Sequence, residues 1–575
     1  MKFTRVTLVA IASVLVLALA GCSLLGSSGQ MGDGDGSTAA QTSSQDTSKQ
    51  QDFKPAKGEA KTTLKIASGS ENREAAAAIQ KAVDESGVAV HIDYMGSLDI
   101  MAQLKDGGGS YDAVWPASSI WISLGDEQHL VKDEQSTSTT PVVFGVAKKK
   151  AVELGWADES GATKDVSTKD VLDAVSAGKL TFAMTSATQS NSGASAYLAF
   201  LQALKGDEAA LSAADLQNAQ LTDQVKSLLS GVNRSSGSSD WLKDMVVANP
   251  DAYNAMVNYE SLVIAANKQL EEDGKDPLVA IYPTDGIAVS DSPLGYIDRG
   301  QGSDVQSAFQ AFQKALAGKD AKLLLERAGR RTGLGGVVQN KDDSQVKDSF
   351  RSEWGIRTDA SSLKAVPMPS ADVIRQALDL YQSALRKPSW TIWVVDYSGS
   401  MQGEGKKGVV AGLKAALDPT ESAKSMIQPT ADDVNVLIPF SSVAKAPLLL
   451  MGSDTQGIID EAEQQDAAGG TNIYDGLRSA LDALPQNMDL GSDHKADDYT
   501  VAIVLMTDGV SDTSDRDALL KEYGERGHGV PIYSIMFGDA DPSQLDELAK
   551  QTDAKVFDGR KGDLASVFRQ VKGYN

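Results

Sequence analysis

Trp390-Thr391-Ile392-Trp393-Val394-Val395 runs straight into Asp396-Tyr397-Ser398-Gly399-Ser400-Met401. Six uncharged residues rich in aromatic and β-branched side chains are the pattern of a strand buried on both faces in a parallel sheet. The abrupt polar end places a carboxylate and two hydroxyls at the strand's carboxyl edge, where open α/β sheets build their sites. Val501-Ala502-Ile503-Val504-Leu505-Met506 repeats the pattern and empties into Thr507-Asp508-Gly509. Between the two runs, Gly469-Gly470-Thr471 precedes Ile473, Leu477, Ala480, Leu481 and Leu484 at helical spacing, which predicts Thr471 at a helix N-terminus. Two carboxylates and three hydroxyls on one rim suit a hard divalent cation that prefers oxygen. Two buried aspartates without a partner would be costly.

The set Asp396-x-Ser398-x-Ser400, Thr471 and Asp508 resembles the complete metal-ion-dependent adhesion site (MIDAS) of von Willebrand factor type A (VWA) domains, across about residues 388–575. The resemblance implies a Rossmann-like α/β domain with a central, mostly parallel sheet. It further implies Ser398, Ser400 and Thr471 as direct hydroxyl ligands, with Asp396 and Asp508 acting directly or through water. The expected ion is Mg²⁺, ahead of Mn²⁺ and Ca²⁺, and its open coordination position would take an acidic group of a protein partner.

Upstream, Ala371 to Lys387 form an amphipathic segment stopped by Pro388, expected to pack against a neighbouring domain and to connect the two halves over 366–387. Arg327, Arg330 and Arg331 precede a glycine-rich stretch and read as a solvated cluster ending a helix, with capture of a carboxylate or phosphate as the alternative. From Thr62 the text alternates strand and helix: Leu64 to Ala67, Glu74 to Val83, Val88 to Ile92, Tyr111 to Trp115, and Thr181 to Met184. The strands empty into Ser/Thr/Gly loops, so Ser68, Ser70, Ser118, Ser119, Ser192 and Ser195 are candidate ligand contacts, with helix capping as the competing role of each. Ala113-Val114-Trp115-Pro116-Ala117-Ser118-Ser119, Asn191 to Ser195, Asn258 to Val263 and Tyr282 to Gly286, in that order, resemble bacterial extracellular solute-binding proteins of the two-lobed periplasmic type over about 62–350, within a two-lobed region expected over 62–365. That resemblance implies two lobes closing on a small molecule by hinge motion. Gly329 to Gly333, Trp354 to Ile356 and Leu385 to Ser389, taken with Asp396 to Met401, are similar to bacterial surface proteins that join such a region to a type A domain.

Lys2 and Arg5 followed by an apolar run over 6–20 and Leu19-Ala20-Gly21-Cys22 have signal-peptide anatomy. The end of the run resembles a bacterial lipobox, which implies cleavage after residue 21 and acylation of Cys22, the one cysteine of the chain. A two-chain lipid anchor holds stably to a membrane. Residues 22–61, dominated by Ser, Gly, Gln, Thr and Asp, then read as a disordered tether.

At 575 residues the chain exceeds a single domain, and 41% apolar with 23% charged residues is ordinary globular usage. The formal charge of −24 argues against nucleic acid as a partner. One Cys and four His leave no zinc framework or Cys-His pair, so any metal must be held by oxygen. No GxxxxGK[ST], HExxH or GxSxG sequence occurs, and His91, His129, His494 and His528 stand in unrelated contexts; an enzyme is not expected. The expected protein is a lipid-anchored binding or adhesion protein on the extracytoplasmic face of the cell membrane. The alternative is a solute receptor of a transport system, its type A domain serving for docking or regulation.

Overall fold

The computed structural model describes residues 50–573 apart from 61, 360–362, 491–493, 539 and 561–563. Residues 1–49, including the stretch read as a leader and Cys22, lie outside the described residues. In chain order the first strands are β1 (Gln50–Phe53), β2 (Thr63–Gly69), β3 (Ala89–Met95), β4 (Ala113–Trp115), β5 (Val131–Ser136) and β6 (Thr140–Ala147). Then come β7 (Phe182–Thr185), β8 (Val232–Ser236), β9 (Ala255–Tyr259), β10 (Leu278–Ile281), β11 (Val289–Ser290) and β12 (Pro293–Ile297). The C-terminal strands are β13 (Ser389–Asp396), β14 (Val434–Phe440), β15 (Leu448–Met451), β16 (Thr500–Thr507), β17 (Ile532–Met536) and β18 (Val556–Asp558).

Three sheets result. The first lobe has the order β1-β3-β2-β4-β12-β5 and the second β10-β6-β9-β7-β8 with β11 on β6. The chain crosses from first lobe to second between β5 and β6 and returns between β11 and β12. A third strap comes back at Arg331, whose backbone pairs with Thr139 beside the first crossing.

Two expectations are corrected here. The end of the stretch read as a tether is a strand: β1 pairs antiparallel with β3 and buries Phe53. An edge strand is held by its backbone and needs little apolar text, so composition hides it. The arginines are not a solvated cluster either. Arg330 and Arg331 are fully buried: Arg331 forks onto Glu260 at 2.8 and 2.7 Å, while Arg327 pairs with Asp343 at 2.7 Å. A planar guanidinium suits a carboxylate in this way, and only a buried carboxylate from a distant helix makes such burial tolerable.

The segment upstream of β13 is helical over Ala371–Leu380 with one wider turn over Tyr381–Leu385. It does more than connect. Val373, Ile374, Ala377, Leu378, Tyr381 and Leu385 complete the core of the second lobe, and Tyr197 donates its hydroxyl to the Ala377 carbonyl at 2.9 Å.

The third sheet, β15-β14-β13-β16-β17-β18, is parallel except for β15. Every residue of β13 is buried, as its uninterrupted apolar run requires. On one face Phe568, in the helix Leu564–Gly573, stacks on Trp393 at 5.9 Å, a packing that Gly412 permits by lacking a side chain. The same helix ties the C-terminal domain to both lobes. Gln189 donates to the Arg569 carbonyl (2.5 Å), Ser235 to that of Gly573 (3.2 Å), and Arg569 pairs with Asp99 (3.2 Å).

Candidate metal centre and interlobe cleft

β13 and β16 run side by side and parallel, so Asp396 and Asp508 leave the sheet at the same edge. Asp396 closes the turn that follows it: Oδ1 accepts the Ser398 N–H at 2.7 Å, and Oδ2 accepts the Thr507 hydroxyl at 2.6 Å. Burial pushes its carboxyl above the ordinary range; the bonds from Thr507 and Ser398 oppose this, and the charge of Asp508 adds to it. A continuous oxygen edge follows. Ser398 Oγ lies 3.0 Å from Ser400 Oγ, and Ser400 Oγ donates to Asp508 Oδ1 at 2.8 Å. Both separations are those of ordinary hydroxyl hydrogen bonds, and both are close to the roughly 3.0 Å edge between neighbouring ligands about 2.1 Å from an octahedral Mg²⁺.

Thr471 approaches from a third segment. Its glycine-rich loop is fixed by Gly399 N–H to the Gly469 carbonyl (3.0 Å), Gly470 N–H to Ser442 Oγ (2.8 Å) and Asn472 N–H to the Ser441 carbonyl (2.8 Å). Asn472, not Thr471, caps the helix Ile473–Asp482, its side chain accepting the Asp475 N–H, so the Thr471 hydroxyl does not serve as the cap. That hydroxyl sits against Gly509, where an added Cβ would come within 2.7 Å of Thr471 Oγ1. Four of the five residues named from the sequence, Asp396, Ser398, Ser400 and Asp508, are thus joined in one hydrogen-bonded chain, and Thr471 stands against Gly509, the residue after Asp508. Asp396, Ser398 and Asp508 are buried, Thr471 is half-buried and Ser400 is open to solvent. Two residues escaped the sequence reading: Thr507, which holds Asp396, and Gly509, which makes room for Thr471. Both adjoin Asp508, and neighbourhood was the one available signal.

The six serines of the first region divide. Ser70 accepts a hydrogen bond from Ser238 across the cleft at 3.0 Å, and Ser192 lies 2.8 Å from both Thr185 Oγ1 and Ser239 Oγ. Ser238 and Ser239 being consecutive, these two candidates come together where the lobes meet. Ser68 accepts from Asn72 (3.0 Å) and Ser195 donates to Asn191 (3.1 Å). Ser118 caps the helix Ser119–Gly125, and the Ser119 N–H bonds Asp291 (2.8 Å).

The lobes are pressed together. Arg73 pairs with Asp240 (2.5 Å), Lys243 with Glu74 (2.8 Å), and Trp121 Nε1 donates to Asn191 Oδ1 (2.6 Å). Between them lies a polar centre that the serines alone did not indicate. Asn191 donates to Tyr259 and Ser290, both at 2.9 Å, and Arg330 donates to the Glu71 carbonyl at 2.7 Å. Burial pushes the Glu71 carboxyl up to about 7 against the opposing charge of Arg330. Among the described residues, Glu71 Oε1 and Arg330 Nε are buried and have no hydrogen-bond partner.

Fold and sites together define a binding protein in two parts: a two-lobed α/β module with a polar cleft, and an α/β domain with an all-oxygen rim. Residues 64–331 match the family model "bacterial extracellular solute-binding protein", and residues 392–570 match that of the von Willebrand factor type A domain. The chain therefore carries a solute-binding domain followed by a type A domain, and the first match gives it an extracytoplasmic setting. No curated protein matches it. Similar solved structures include the periplasmic binding protein AfuA from Actinobacillus pleuropneumoniae, with fructose-6-phosphate bound (13% identity, 56% of this chain and 98% of that one, TM-score 0.41). They also include the sulfate-binding protein SubI from Mycobacterium tuberculosis H37Rv (19%, 52% and 93%, 0.35) and a ferric binding protein from Campylobacter jejuni (16%, 55% and 98%, 0.38). No helix among the described residues is long and apolar enough to cross a membrane.

Proposed function

We propose that this chain is a membrane-tethered extracytoplasmic binding protein whose type A domain holds a divalent cation, Mg²⁺ foremost, and uses it to capture an acidic group of a protein partner. The oxygen edge Ser398–Ser400–Asp508, with spacings of 3.0 and 2.8 Å, carries this reading. Ser398, Ser400 and Thr471 supply hydroxyl oxygens, while Asp396 and Asp508 supply charge. When bound, the cation offers a positive centre with a ligand position open to a partner carboxylate. The exposed Ser400 side of the rim is the way in. Cys22, as the acylated residue after leader cleavage, ties the protein to the membrane.

A second role is favoured by the cleft. The unmet Glu71 Oε1 and Arg330 Nε call for a small polar solute that offers both a donor and an acceptor. Calorimetry of the full chain against small anions, sugars, amino acids and peptides tests that role, and silence across the panel removes it. The adhesion role is tested by recovery of a partner from native cell envelope with Mg²⁺ or Mn²⁺ and with EDTA. Recovery should require the cation and vanish in Asp396→Ala and Ser398→Ala; recovery that ignores EDTA and both substitutions refutes it.

A further inference from the structure

Away from both sites, a cavity of about 40 Å³ lies at the seam between the second lobe and the type A domain. One water needs about 10–15 Å³ of such space, so the cavity has room for a small polyatomic ion. Ser186, Thr188 and Ser235 line it from the lobe, Arg386 and Lys387 from the connecting segment, and Ser389, Thr500 and Lys572 from the type A domain.

Its charges do not balance. Asp433 is the buried carboxylate of the neighbourhood, and its oxygens are already taken. They accept Arg386 through both terminal nitrogens, the Ser389 N–H (2.7 Å) and hydroxyl (3.1 Å), and the Thr430 N–H (2.8 Å). Arg386 and Asp433 therefore cancel. Lys572 is left, among the described residues, with two long bonds from its ammonium, to Ser389 Oγ (3.4 Å) and Thr391 Oγ1 (3.2 Å), and the face of Trp393 at 6.0 Å. Lys387 lines the same space, and the carboxylates that act on it are the more distant Asp497 and Asp498. A partly open pocket in a protein of net charge −24 thus carries one or two unneutralised positive charges on half-buried lysines. Buried charges are ordinarily paired.

We propose that this cavity binds a small inorganic oxyanion, phosphate or sulfate, between Lys572 and Lys387, against the hydroxyl-bearing wall of Ser186, Thr188 and Thr500. Contacts from the lobe, the connecting segment and the type A domain make the bound anion a fastener of the seam. It would relieve a cost visible in the protein alone: burial pushes Lys572 down to about 8, with Arg386 adding to the effect and Asp433 opposing it. An anion between the ammonium groups reverses that push.

The test is calorimetry on the full chain with sodium sulfate and, separately, sodium phosphate, against sodium chloride at matched ionic strength. The two arms tell which oxyanion is preferred. Saturable binding of one or both is expected, weakened about tenfold or more in Lys572→Gln, because one charge-assisted contact is lost. Lys387→Gln should weaken it as well, and Lys521→Gln, on an exposed helix, should not. No saturable binding to the wild type, or binding by Lys572→Gln and Lys387→Gln as tight as by the wild type, overturns the proposal. Should Lys572→Gln fail to fold, crystals of the wild type soaked in selenate decide the matter. An anomalous selenium peak in the cavity supports it, and an empty cavity at saturating selenate refutes it.

Discussion

Replacing Glu260 by Gln removes one charge and almost no volume, at the point where three strands of chain cross between the lobes. Both the Glu260 and Arg331 side chains are wholly buried, joined by two bonds of 2.8 and 2.7 Å, and Tyr282 donates its hydroxyl to the same carboxylate. The Gln variant keeps an acceptor for one guanidinium N–H and leaves the positive charge of Arg331 without a counter-charge. Breaking a buried pair from one side costs about 3–5 kcal/mol, and the retained bond places Gln near the low end, at about 3 kcal/mol. Arg331 and Thr139 exchange backbone bonds at 3.0 and 2.8 Å, so their amides report directly on opening of the strap. Hydrogen exchange read by mass spectrometry should find the peptides covering Thr139 and Arg331 exchanging about a hundredfold faster, since about 1.4 kcal/mol is tenfold. The double replacement Glu260→Leu with Arg331→Met should recover most of the loss, because two apolar groups of similar volume leave no buried charge behind. An acceleration below tenfold in Glu260→Gln, or a double variant worse than the single one, would refute the reading that this buried pair holds the strap at Arg331 in place.

Three further outcomes are expected. Glu71 has a folded-state pKa of about 7, above its ordinary 4.5, so the folded form holds the proton more tightly than the unfolded. Stability should therefore fall as pH rises from about 4.5 to about 7, by up to about 3 kcal/mol at 1.36 kcal/mol per pH unit; denaturant unfolding should lose this slope in Glu71→Gln. Gly412→Ala would place its Cβ 2.1 Å from Phe568 Cε2, in a ring stacked on Trp393, and should cost about 1–3 kcal/mol by overpacking. Phe568→Leu in the same chain should restore part of that loss in a thermal melt, and a Gly412→Ala protein as stable as wild type would show that the helix Leu564–Gly573 is not held there. Gly509→Ala removes no ligand but drives a Cβ against Thr471 Oγ1, and should weaken Mg²⁺ binding about 10–100-fold by calorimetry; an unchanged affinity would remove Thr471 from the ligand set.

The oxygen-lined rim was legible because its parts are local. Each of its three segments ends or begins an element whose hydrophobic pattern is plain in the text, and β13 and β16 carry Asp396 and Asp508 to one edge whenever they pair in parallel. The cleft was less legible. Serines at helix starts were visible, yet the sequence does not separate Ser118, which caps a helix, from Ser192, which meets Ser239 of another element. Glu71 had no local mark, Arg330 was read as solvated and Asn191 only as part of a loop motif, because their polar surroundings are assembled from segments far apart in the chain, Arg330 and Glu71 lying 259 residues from each other.

By itself the sequence determined the two α/β halves, the all-oxygen rim of Asp396, Ser398, Ser400, Thr471 and Asp508, and the absence of material for a Cys/His site. These follow from periodicity and from residue types fixed within a few positions of a strand end. Tertiary structure alone decided that Arg331 is buried on Glu260, that β1 joins the first sheet, and that Lys572 closes a cavity against the second lobe. A charged side chain reads the same in the text whether it is solvated or buried; its fate is set by which distant carboxylate, if any, the fold brings to it.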